Sequence, residues 1–345
     1  MYDHIADQRP EWDIRLYGES EGDYAMARSN LSSHVLNIPG FRFNLWENVG
    51  LPLVAKFGGS DLLHGASSST PRFPLVPTVM TVHDVIPLVF DDGQDQTAID
   101  RFRTQLEFGL RRARAVIAVS QNTKADLVSL FGLDPAKITV VHWGADSPLP
   151  KDSVGSRDAA LTQVGIVGPY LLAFAGEARR KNTEMIIRAF ALVNPDGPKL
   201  VLVGVNNAAG RKRFGELAHQ LHCGERVVIF DYVTDESLEI VLQESVALLY
   251  VSLYEGFGLP LLEAMVRGIP IIASDVSSIP EIVGDAALLV SPSNPVEIAE
   301  AIEEIVSTPA HRRELIERGV KRAGTFRWEA TAAQTIAIFE SVSGS

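Results

Sequence analysis

The sequence predicts an α/β protein that contains two doubly wound parallel sheets. Buried-strand patterns alternate with helix-length segments through residues 169–325, an order typical of a parallel sheet with helices on both faces. A second set of strand patterns lies within residues 1–146, and a chain of 345 residues is long enough for two domains with cores of their own. Residues 147–168 between them are rich in proline and glycine, which predicts an interdomain linker.

The composition of the chain argues against several classes of protein. The chain has 31 Lys and Arg residues against 43 Asp and Glu residues, and the net charge of −12 disfavours general nucleic-acid binding. Its single cysteine, Cys223, excludes an intramolecular disulfide and a cysteine-rich zinc site. No apolar run approaches the roughly 20 residues that span a bilayer, and the N-terminus lacks the features of a signal peptide. We therefore expect a cytoplasmic protein that contacts the inner membrane face peripherally at most.

Short local patterns predict the elements of the N-terminal domain. Residues 2–9 resemble a helix end, and residues 12–17 alternate as a strand. An aromatic and apolar segment at 35–57 predicts a helix that packs on the sheet. The remaining predicted elements are a strand end at 61–65, a Ser- and Pro-rich loop at 66–77, a β-branched strand from 78 that ends at the polar pair 83–84, a helix at 97–114, a strand at 115–119, a helix that begins after Ser120 and a last strand at 138–144.

The beginning of the chain departs from the usual order of such a domain. An open α/β domain normally starts with a buried strand and a glycine-rich turn, whereas residues 2–17 predict a helix end followed by a strand. We therefore expect the N-terminal domain to lack its first strand, which would leave neighbouring strand edges unpaired. The alternative is a rearranged domain in which another segment fills the gap.

The C-terminal domain has a regular strand-helix alternation. A last helix is predicted from Trp328 to about Val342. The predicted strands are 170–175, 199–203, 227–230, 247–251, 269–273 and 287–290, and the two helices before the last are 296–307 and 310–324.

The most informative stretch follows the strand pattern at 247–251. Glu255 lies in a glycine-rich turn, Pro260 suits the first turn of a helix, and Glu263 lies about one turn inside that helix. The N-terminus of a helix favours an anion such as a phosphate. A carboxylate accepts two hydroxyl donors of a sugar, so the pair predicts a sugar on each side of a diphosphate. The structural alternative is a strand-to-helix turn with two solvated glutamates.

A second loop carries cations to the same edge of the predicted sheet. It follows strand 170–175 and contains Arg179, Arg180 and Lys181 before Asn182, a candidate helix N-cap. Arg180 and Lys181 could together compensate the negative charge on a departing nucleoside diphosphate. A solvated basic turn is the alternative.

Two further observations concern ligands. Gly204 ends the next strand, where a glycine permits close approach of a ligand to the backbone, although turn geometry alone would also require it. The sequence has no Asp-x-Asp pair for Mg²⁺ or Mn²⁺ on a nucleotide sugar and no His/Cys cluster with zinc spacing. We therefore expect no metal site.

These motifs resemble those of a known family. The run Glu-Gly-Phe-Gly-Leu-Pro-Leu-Leu-Glu-Ala-Met at 255–265 closely resembles the signature of retaining glycosyltransferases of family 4, which have two Rossmann-like domains facing a cleft (the GT-B fold). Thr-Val-His-Asp at 81–84 resembles the motif of the family's N-terminal domain. Arg-Lys-Asn at 180–182 is similar to the phosphate clamp of mannosyltransferase-like members. The resemblance covers nearly the whole chain and is strongest over 169–290.

The resemblance implies a role for each candidate residue. Glu263 would bind the ribose hydroxyls and Glu255 the transferred sugar, while His83 would reach that sugar or its phosphate from the other domain. The helix within 326–345 would cross back onto the N-terminal domain. The rest of the donor would be held by residues of the C-terminal domain, namely Arg180, Lys181, Gly204, Val233, Gly256, Phe257, Gly258 and Leu259.

The sequence departs from the family in two loops. The clamp loop is one residue shorter than the usual pattern and lacks the proline before the arginine, which leaves open whether Arg179 or Arg180 makes the main contact. Asp231 replaces the usual glycine in the segment whose backbone meets the nucleotide base.

The predicted function is transfer of a hexose, with GDP-mannose as the leading donor by resemblance and a saccharide or lipid-linked saccharide as acceptor in glycan biosynthesis. No cofactor is expected besides the nucleotide sugar. One rival is a catalytically silent nucleotide-sugar-binding protein. The other is a dinucleotide oxidoreductase, which would need a Gly-x-Gly-x-x-Gly turn that the sequence lacks.

A basic cluster stands out on an acidic protein. It lies in the predicted helix 97–114, and a solvated helix face is its most common role. Contact with anionic lipid or with a lipid-phosphate acceptor is the sharper alternative. The cluster consists of Arg101, Arg103, Arg111, Arg112 and Arg114.

Overall fold

The computed structural model describes residues 1–18, 28–35, 45–148, 161, 165–231 and 234–344. These residues form two compact units. The first unit comprises Met1–Val89, Gln94–Gly144 and Phe326–Ser345, and the second comprises Phe90–Gly93 and Ala145–Thr325. Most of the predicted linker at 147–168 lies outside the described residues.

All pairings between strands of the described chain are parallel. The strands are β1 (Ile14–Gly18), β2 (Leu31–Val35), β3 (Leu63–Gly65), β4 (Thr78–Val82), β5 (Ala115–Ala118), β6 (Ile138–Val140), β7 (Tyr170–Phe174), β8 (Lys199–Val203), β9 (Val227–Phe230), β10 (Ala247–Tyr250), β11 (Ile271–Ser274) and β12 (Ala287–Val290). The helices are α1 (Tyr2–Gln8), α2 (Leu51–Phe57), α3 (Ile86–Val89), α4 (Gln96–Arg112), α5 (Gln121–Phe131), α6 (Thr183–Phe190), α7 (Ala208–Gln220), α8 (Asp235–Gln243), α9 (Leu259–Val266), α10 (Ile279–Val283), α11 (Pro295–Ser307), α12 (Pro309–Ala323) and α13 (Trp328–Ser343).

The described residues of the first unit form two separate sheets. Four strands form a sheet in the order β3-β4-β5-β6, and β1 and β2 form a sheet of their own. One face of the larger sheet packs Met80 and Val116 against Leu106 of α4, and the other packs Val79 against α1 and α13. The β-branched and aliphatic residues of β4 are all buried, as expected for a strand covered on both faces.

The structure corrects the prediction of one helix over 35–57. Val35 is the last residue of β2, a strand that the sequence analysis missed. Only Leu31 of that strand is buried, so the segment lacks the alternation of apolar residues that predicts a strand. The helix α2 begins at Leu51, after a π-helical turn at Trp46–Gly50. Residues 36–44 lie outside the described part of the chain.

The described strands of the second unit form one continuous six-stranded sheet. Its order is β12-β11-β10-β7-β8-β9, so the first strand, β7, lies in the middle and the chain builds outward on both sides. This is the order of a doubly wound domain, and the predicted parallel sheet is confirmed. In such a sheet the ligand site lies at the carboxyl ends of the two strands where the direction of winding reverses, which here are β7 and β10.

Candidate functional site

Two loops meet at this reversal point. The loop after β7 contains the short 3₁₀ helix Arg179–Lys181, and the loop after β10 contains Glu255. The amide of Leu253 donates to the carbonyl of Arg180 at 2.7 Å, so the two loops are joined by their backbones. The sequence prediction that cations and a carboxylate converge here therefore agrees with the geometry of the second unit.

Hydrogen bonds with one neighbouring loop fix the position of Glu255. Its backbone N–H donates to the hydroxyl of Ser277 at 3.1 Å. The Ser278 hydroxyl lies 2.9 Å from the carbonyl of Glu255 and 3.0 Å from that of Phe257. Because two serines of the loop after β11 hold the backbone of this glycine-rich turn, the Glu255 side chain is fixed in position, and the residue is only 8% exposed.

The carboxylate of Glu255 is paired with both predicted cations. Lys181 Nζ donates to Oε1 at 2.8 Å, and Arg180 Nη1 lies 3.3 Å from each carboxylate oxygen. The Lys181 ammonium also lies 5.5 Å from the centre of the Tyr250 ring. Burial and the neighbouring Glu255 raise the pKa of Tyr250 well above its ordinary value, which keeps the phenol protonated.

The structure distinguishes Arg180 from Arg179. Arg180 Nε lies 3.1 Å from Asp92 Oδ2, and its backbone N–H donates to Asp92 Oδ1 at 2.8 Å. Arg179 instead pairs with Asp91, and both of those side chains are more than half exposed. Arg180 is therefore the arginine that lies beside Glu255. Asp92 was not predicted, because nothing in the sequence connects residues 90–93 with the second domain.

Asn182 does not cap α6 with its side chain, which corrects the N-cap prediction. Its backbone is left-handed, with φ of 57°, and its amide donates to the carbonyls of Val251 and Pro292 at 3.0 and 2.8 Å. The side chain thus connects the ends of three strands, β7, β10 and β12. This bridge positions the cation loop against the Glu255 loop.

The N-terminus of α9 follows the Glu255 turn. Gly258 precedes the helix with φ of 105°, a conformation that favours glycine, and no side chain of the described residues caps the helix there. Pro260 occupies the first turn, as predicted. The first N–H groups of a helix have no partners within it, so this end of α9 can accept an anion. Gly256, Phe257 and Gly258 are all buried.

Glu263 lies on the first part of α9 and is half-buried. Burial raises the pKa of its carboxyl group above the ordinary value; Arg267 opposes the rise, and Asp146 and Glu239 add to it. Arg267 donates to the Glu263 carbonyl at 2.9 Å and forms a buried ion pair with Glu239, with Arg267 Nη2 and Glu239 Oε2 2.5 Å apart. The Glu239–Arg267 pair, which sequence reasoning missed, holds α8 against α9 below the candidate ribose-binding carboxylate.

Two predicted site residues of this unit remain, Gly204 and Val233. Gly204 has φ of 102°, and a Cβ there would lie 2.8 Å from the carbonyl oxygen of Ala175. Close packing of the loop after β7 therefore accounts for this glycine. Val233 lies outside the described residues.

His83 belongs to the first unit and follows β4, as predicted. Its Nε2 lies 2.5 Å from the carbonyl oxygen of Ala66, which can only accept, so Nε2 carries the proton and Nδ1 is an acceptor. The ring lies 4.9 Å from that of Trp143. Burial lowers the pKa of His83, so the imidazole is neutral at physiological pH. Nδ1 is buried and has no hydrogen-bond partner in the described part of the chain.

The described residues contain neither a candidate metal cluster nor a helix that could span a membrane. Within 1–18, 28–35, 45–148, 161, 165–231 and 234–344, no group of three or more His, Cys, Asp or Glu side chains could hold a metal ion. In the same residues no helix is both long and apolar enough to cross a membrane.

Two protein-family models match this chain. Residues 157–322 match the family described as glycosyl transferases group 1, and residues 14–147 match glycosyltransferase family 4. The chain belongs to glycosyltransferase family 4. The resemblance seen in the sequence motifs is therefore confirmed. In this family 4 glycosyltransferase, the glycine-rich turn at 255–258 lies where the winding of the six-stranded sheet reverses.

Curated relatives cover much of this chain. The MMP α-(1→4)-mannosyltransferase of Mycolicibacterium hassiacum is 29% identical over 76% of this chain and 65% of its own length. The O-antigen chain mannosyltransferase RfbU of Salmonella typhimurium is 25% identical over 82% of this chain and 75% of its own length. A D-inositol 3-phosphate glycosyltransferase of Rhodococcus erythropolis is 31% identical over 75% and 60%, respectively. The aligned part of this chain thus spans 60% to 75% of the length of these relatives.

Solved structures share the fold. Sucrose-phosphate synthase from Thermosynechococcus elongatus superposes with a TM-score of 0.75 over 98% of this chain and 91% of its own, at 22% identity. WaaG, a glycosyltransferase of lipopolysaccharide biosynthesis, gives a TM-score of 0.72 over 100% and 95% at 17% identity. Anabaena HepE in complex with UDP-glucose gives 0.74 over 98% and 94% at 20% identity. The predicted fold class, with two Rossmann-like domains of the GT-B type, is confirmed.

Proposed function

We propose that this protein transfers a hexose, with mannose the leading candidate, from a nucleoside-diphosphate sugar to a saccharide or lipid-linked saccharide, with retention of configuration and without a metal ion. The observation that carries the proposal is the convergence of Lys181 and Arg180 on the buried carboxylate of Glu255, next to the N-terminus of α9. The chain's membership of a glycosyltransferase family supports the reaction class.

Charge explains how this cluster would bind the donor. Arg180 and Lys181 carry two positive charges, and Glu255 and Asp92 carry two negative charges, so the described cluster is close to neutral. A diphosphate at the N-terminus of α9 would attract the two cations toward itself. The oxygens of Glu255 would then be released to accept hydroxyl groups of the transferred sugar. Binding of the diphosphate and binding of the sugar are coupled in this scheme.

The chemical step needs charge stabilisation at the leaving group. The bond between the sugar's anomeric carbon and the diphosphate oxygen breaks, and the acceptor oxygen forms a bond to the same face of that carbon. The departing phosphate takes the proton of the acceptor hydroxyl, so no side-chain nucleophile is required. Arg180, Lys181 and the first N–H groups of α9 stabilise the charge that grows on the phosphate.

Glu263 is the proposed ligand of the ribose. It lies about one helical turn from the phosphate end of α9, a separation that suits the two ends of one nucleotide. As a carboxylate it offers two acceptor oxygens to the vicinal hydroxyl groups. The role of His83 toward the donor stays a prediction.

The relatives guide the choice of donor. Two of those described above are named as mannosyltransferases, which favours GDP-mannose. HepE was solved with UDP-glucose, and this donor is the natural comparison in an assay. We also propose that the exposed arginines of α4 contact a lipid-linked acceptor or anionic lipid.

The test is a donor-consumption assay on the purified full chain with GDP-mannose and with UDP-glucose, each with and without EDTA. We expect release of GDP that survives EDTA, and loss of that release in Glu255→Gln but not in the exposed control Glu300→Gln. The anomeric configuration of any saccharide product is read by NMR. A strict requirement for Mn²⁺ or Mg²⁺ would overturn the metal-free mechanism.

The rival of a silent binding protein is tested in the same preparation. Calorimetric binding of GDP-mannose without any release of GDP, in the presence of candidate saccharide acceptors, would favour it. Preferred turnover of UDP-glucose would keep the enzyme class and replace the donor.

A further inference from the structure

A large cavity lies within the first unit. Its volume is about 860 Å³. All residues of β1 and all residues of β3 line it, together with the residues that lead into each strand. Successive side chains of a strand point to opposite faces of its sheet, so consecutive residues line the same space only along the edge of a strand. The cavity therefore lies between the edges of β1 and β3.

These two edges lack a partner in the described part of the chain. β1 pairs only with β2, and β3 pairs only with β4. The free edge of a strand exposes a row of backbone N–H and C=O groups that can pair with another strand. Since both β1 and β3 run in parallel sheets, one strand parallel to both could pair with them at once.

Buried polar side chains at the cavity also lack partners. Trp46 and Thr70 line it and are 9% and 2% exposed, respectively. The indole Nε1 of Trp46 and the hydroxyl of Thr70 have no hydrogen-bond partner in the described chain. Most buried polar groups in folded proteins are paired, so two unpaired groups at one cavity indicate an absent polar neighbour. A polypeptide backbone supplies both the acceptor and the donor that they need.

Comparison with the sheet of the second unit identifies the neighbour that β1 and β3 lack in the described residues as a β-strand. Its sheet is continuous, and its first strand lies in the middle. In the first unit the strands follow the order β2-β1, then the cavity, then β3-β4-β5-β6. One strand in the cavity would give an uninterrupted sheet with the same outward winding from a central strand.

We propose that this cavity is the seat of one further β-strand, which runs parallel to β1 and β3, pairs with both and is joined to the N-terminus of α1. The helix α1 lies in position to be a crossover, because Tyr2 lines the cavity and α1 is followed directly by β1. A parallel strand reaches its neighbour through such a helix, whereas a hairpin would give an antiparallel strand.

The surroundings define the chemistry of the occupant. β1 has five residues, so the strand needs about the same length. α1 and α13 cover one face of the neighbouring β4, where Val79 packs against them. A strand covered on its faces is a run of apolar residues such as Val and Ile, without proline, because each edge needs its N–H groups. The hydrogen bonds from Tyr2 to His64 and from His64 to Thr81, both 2.7 Å, already fix α1 beside β3.

The test extends the full chain ahead of Met1 with the strand Lys-Val-Val-Ile-Val followed by a Gly/Ser linker of about twelve residues, long enough to reach from the cavity to α1. The control extension has proline at the second and fourth strand positions and is otherwise the same. We expect the first extension to raise the Tm by about 4 °C or more and to slow amide exchange in both β1 and β3 by about tenfold. The proline control leaves the Tm and both exchange rates unchanged.

The readouts do not depend on donor binding, so the outcome is independent of the proposed activity. Equal effects of the two extensions would overturn the proposal, as would protection of only one of the two strands. The same peptide added as a free molecule separates pairing from tethering, and protection of β1 and β3 only by the free peptide would refute the connection to α1. Protection of these amides by mannobiose, with none by the extension, would identify the cavity as a saccharide site instead.

Discussion

The two units contain the same kind of parallel sheet but differ at its centre. In the second unit β7 and β10 lie side by side at the reversal point, and residues Leu171, Leu172, Leu248 and Leu249 are at most 1% exposed. In the first unit the sheet is divided between β1 and β3, and most residues of these strands are only partly buried beside a cavity. The loops that carry Arg180, Lys181 and Glu255 arise from the continuous sheet.

The pairing of the strands decides how firmly the loops that follow them are held. The loops after β7 and β10 are held together because their strands are adjacent and because Asn182 and the serines at 277–278 connect them. In the first unit the loop after β3 has a cavity on one side, and its buried Thr70 hydroxyl has no partner in the described chain. A site can be placed accurately only where the strands beneath it are paired.

The largest expected effect is on stability, and a matched pair of substitutions measures it. Leu248→Ala in β10 should lower the free energy of unfolding by about 2–5 kcal/mol, because it opens a cavity in a closed core. Leu63→Ala in β3 should cost roughly 1 kcal/mol, because Leu63 is only partly buried beside an existing cavity. All four tryptophans, at 12, 46, 143 and 328, lie in the first unit, so their fluorescence follows that unit while circular dichroism follows both.

In guanidinium titrations, Leu248→Ala should shift the transition seen by circular dichroism and leave that seen by fluorescence in place. Leu63→Ala should shift the fluorescence transition, together with only that part of the circular-dichroism transition that arises from the first unit. If Leu63→Ala is as destabilising as Leu248→Ala, the two sheets do not differ in packing and the comparison is wrong.

The next effect concerns turnover at the charge cluster. Replacement of Arg180 and Lys181 together by alanine should lower kcat by about 10²–10³-fold, since these cations act on charge that grows as the diphosphate departs. The control is Arg313→Ala with Lys321→Ala, two exposed cations of α12. Steady-state kinetics with GDP-mannose measures both. An unchanged kcat in the double variant would remove these residues from the chemical step.

The two units should also differ in how much stability they lose in acid. Burial lowers the pKa of His64 to about 3, so in the folded unit its neutral form is favoured. A histidine whose pKa is lower in the folded than in the unfolded protein, where it is about 6.5, stabilises the folded state above pH 6.5. This stabilisation is lost as the pH falls toward the pKa of the folded state. From pH 6.5 to 5 the first unit should lose roughly 1–2 kcal/mol of stability. Fluorescence-detected unfolding checks this. In His64→Gln the loss should become smaller, and the part due to His83, whose pKa burial also lowers, should remain. An equal loss in the variant would place the sensitivity elsewhere.

The sequence predicted the second unit better than the first for a physical reason. Strands β7 to β12 consist mainly of apolar residues bounded by turns, and Glu255, Lys181 and Pro260 follow them at fixed distances along the chain, so local patterns were sufficient. β2 was missed because only Leu31 of it is buried. Asp92 was missed because its ion pair with Arg180 joins residues 88 positions apart, and no local pattern records such a contact.

A smaller effect is expected at Glu263. Glu263→Gln should raise the KM for the donor about tenfold with little change in kcat, because the amide keeps one acceptor oxygen of two. Burial raises the pKa of the Glu263 carboxyl, so the wild-type KM should also rise as the pH falls through that raised value, while the variant stays flat. A carboxyl group whose pKa is raised by folding stabilises the folded state at low pH, and this contribution is lost as the pH rises. Glu263→Gln should therefore be more stable than the wild-type protein at neutral pH. A KM equal to that of wild type would contradict the ribose role.

The smallest expected effect is on membrane contact. The five arginines of the basic cluster are all exposed, and two of their neighbours, Phe73 and Phe108, are 61% and 36% exposed. Arg112 lies 5.3 Å from the ring of Phe73, so cationic and aromatic groups share one surface of the first unit. Arg111 is paired with Glu107 at 2.7 Å and contributes less net charge. Each remaining arginine near an anionic surface is worth about 1 kcal/mol, and salt weakens the attraction.

Flotation with vesicles measures this contact. We expect more protein to float with vesicles of phosphatidylcholine and phosphatidylglycerol than with phosphatidylcholine alone, and less at high salt. Arg103→Gln with Arg112→Gln should reduce the difference, whereas the control Arg313→Gln with Lys321→Gln on the second unit should preserve it. Because the control removes the same net charge, loss of flotation in both double variants would mean that the vesicles respond to total charge and not to this surface. Equal recovery of the wild-type protein in the soluble fraction with both kinds of vesicle would indicate that the basic cluster is a solvated helix face.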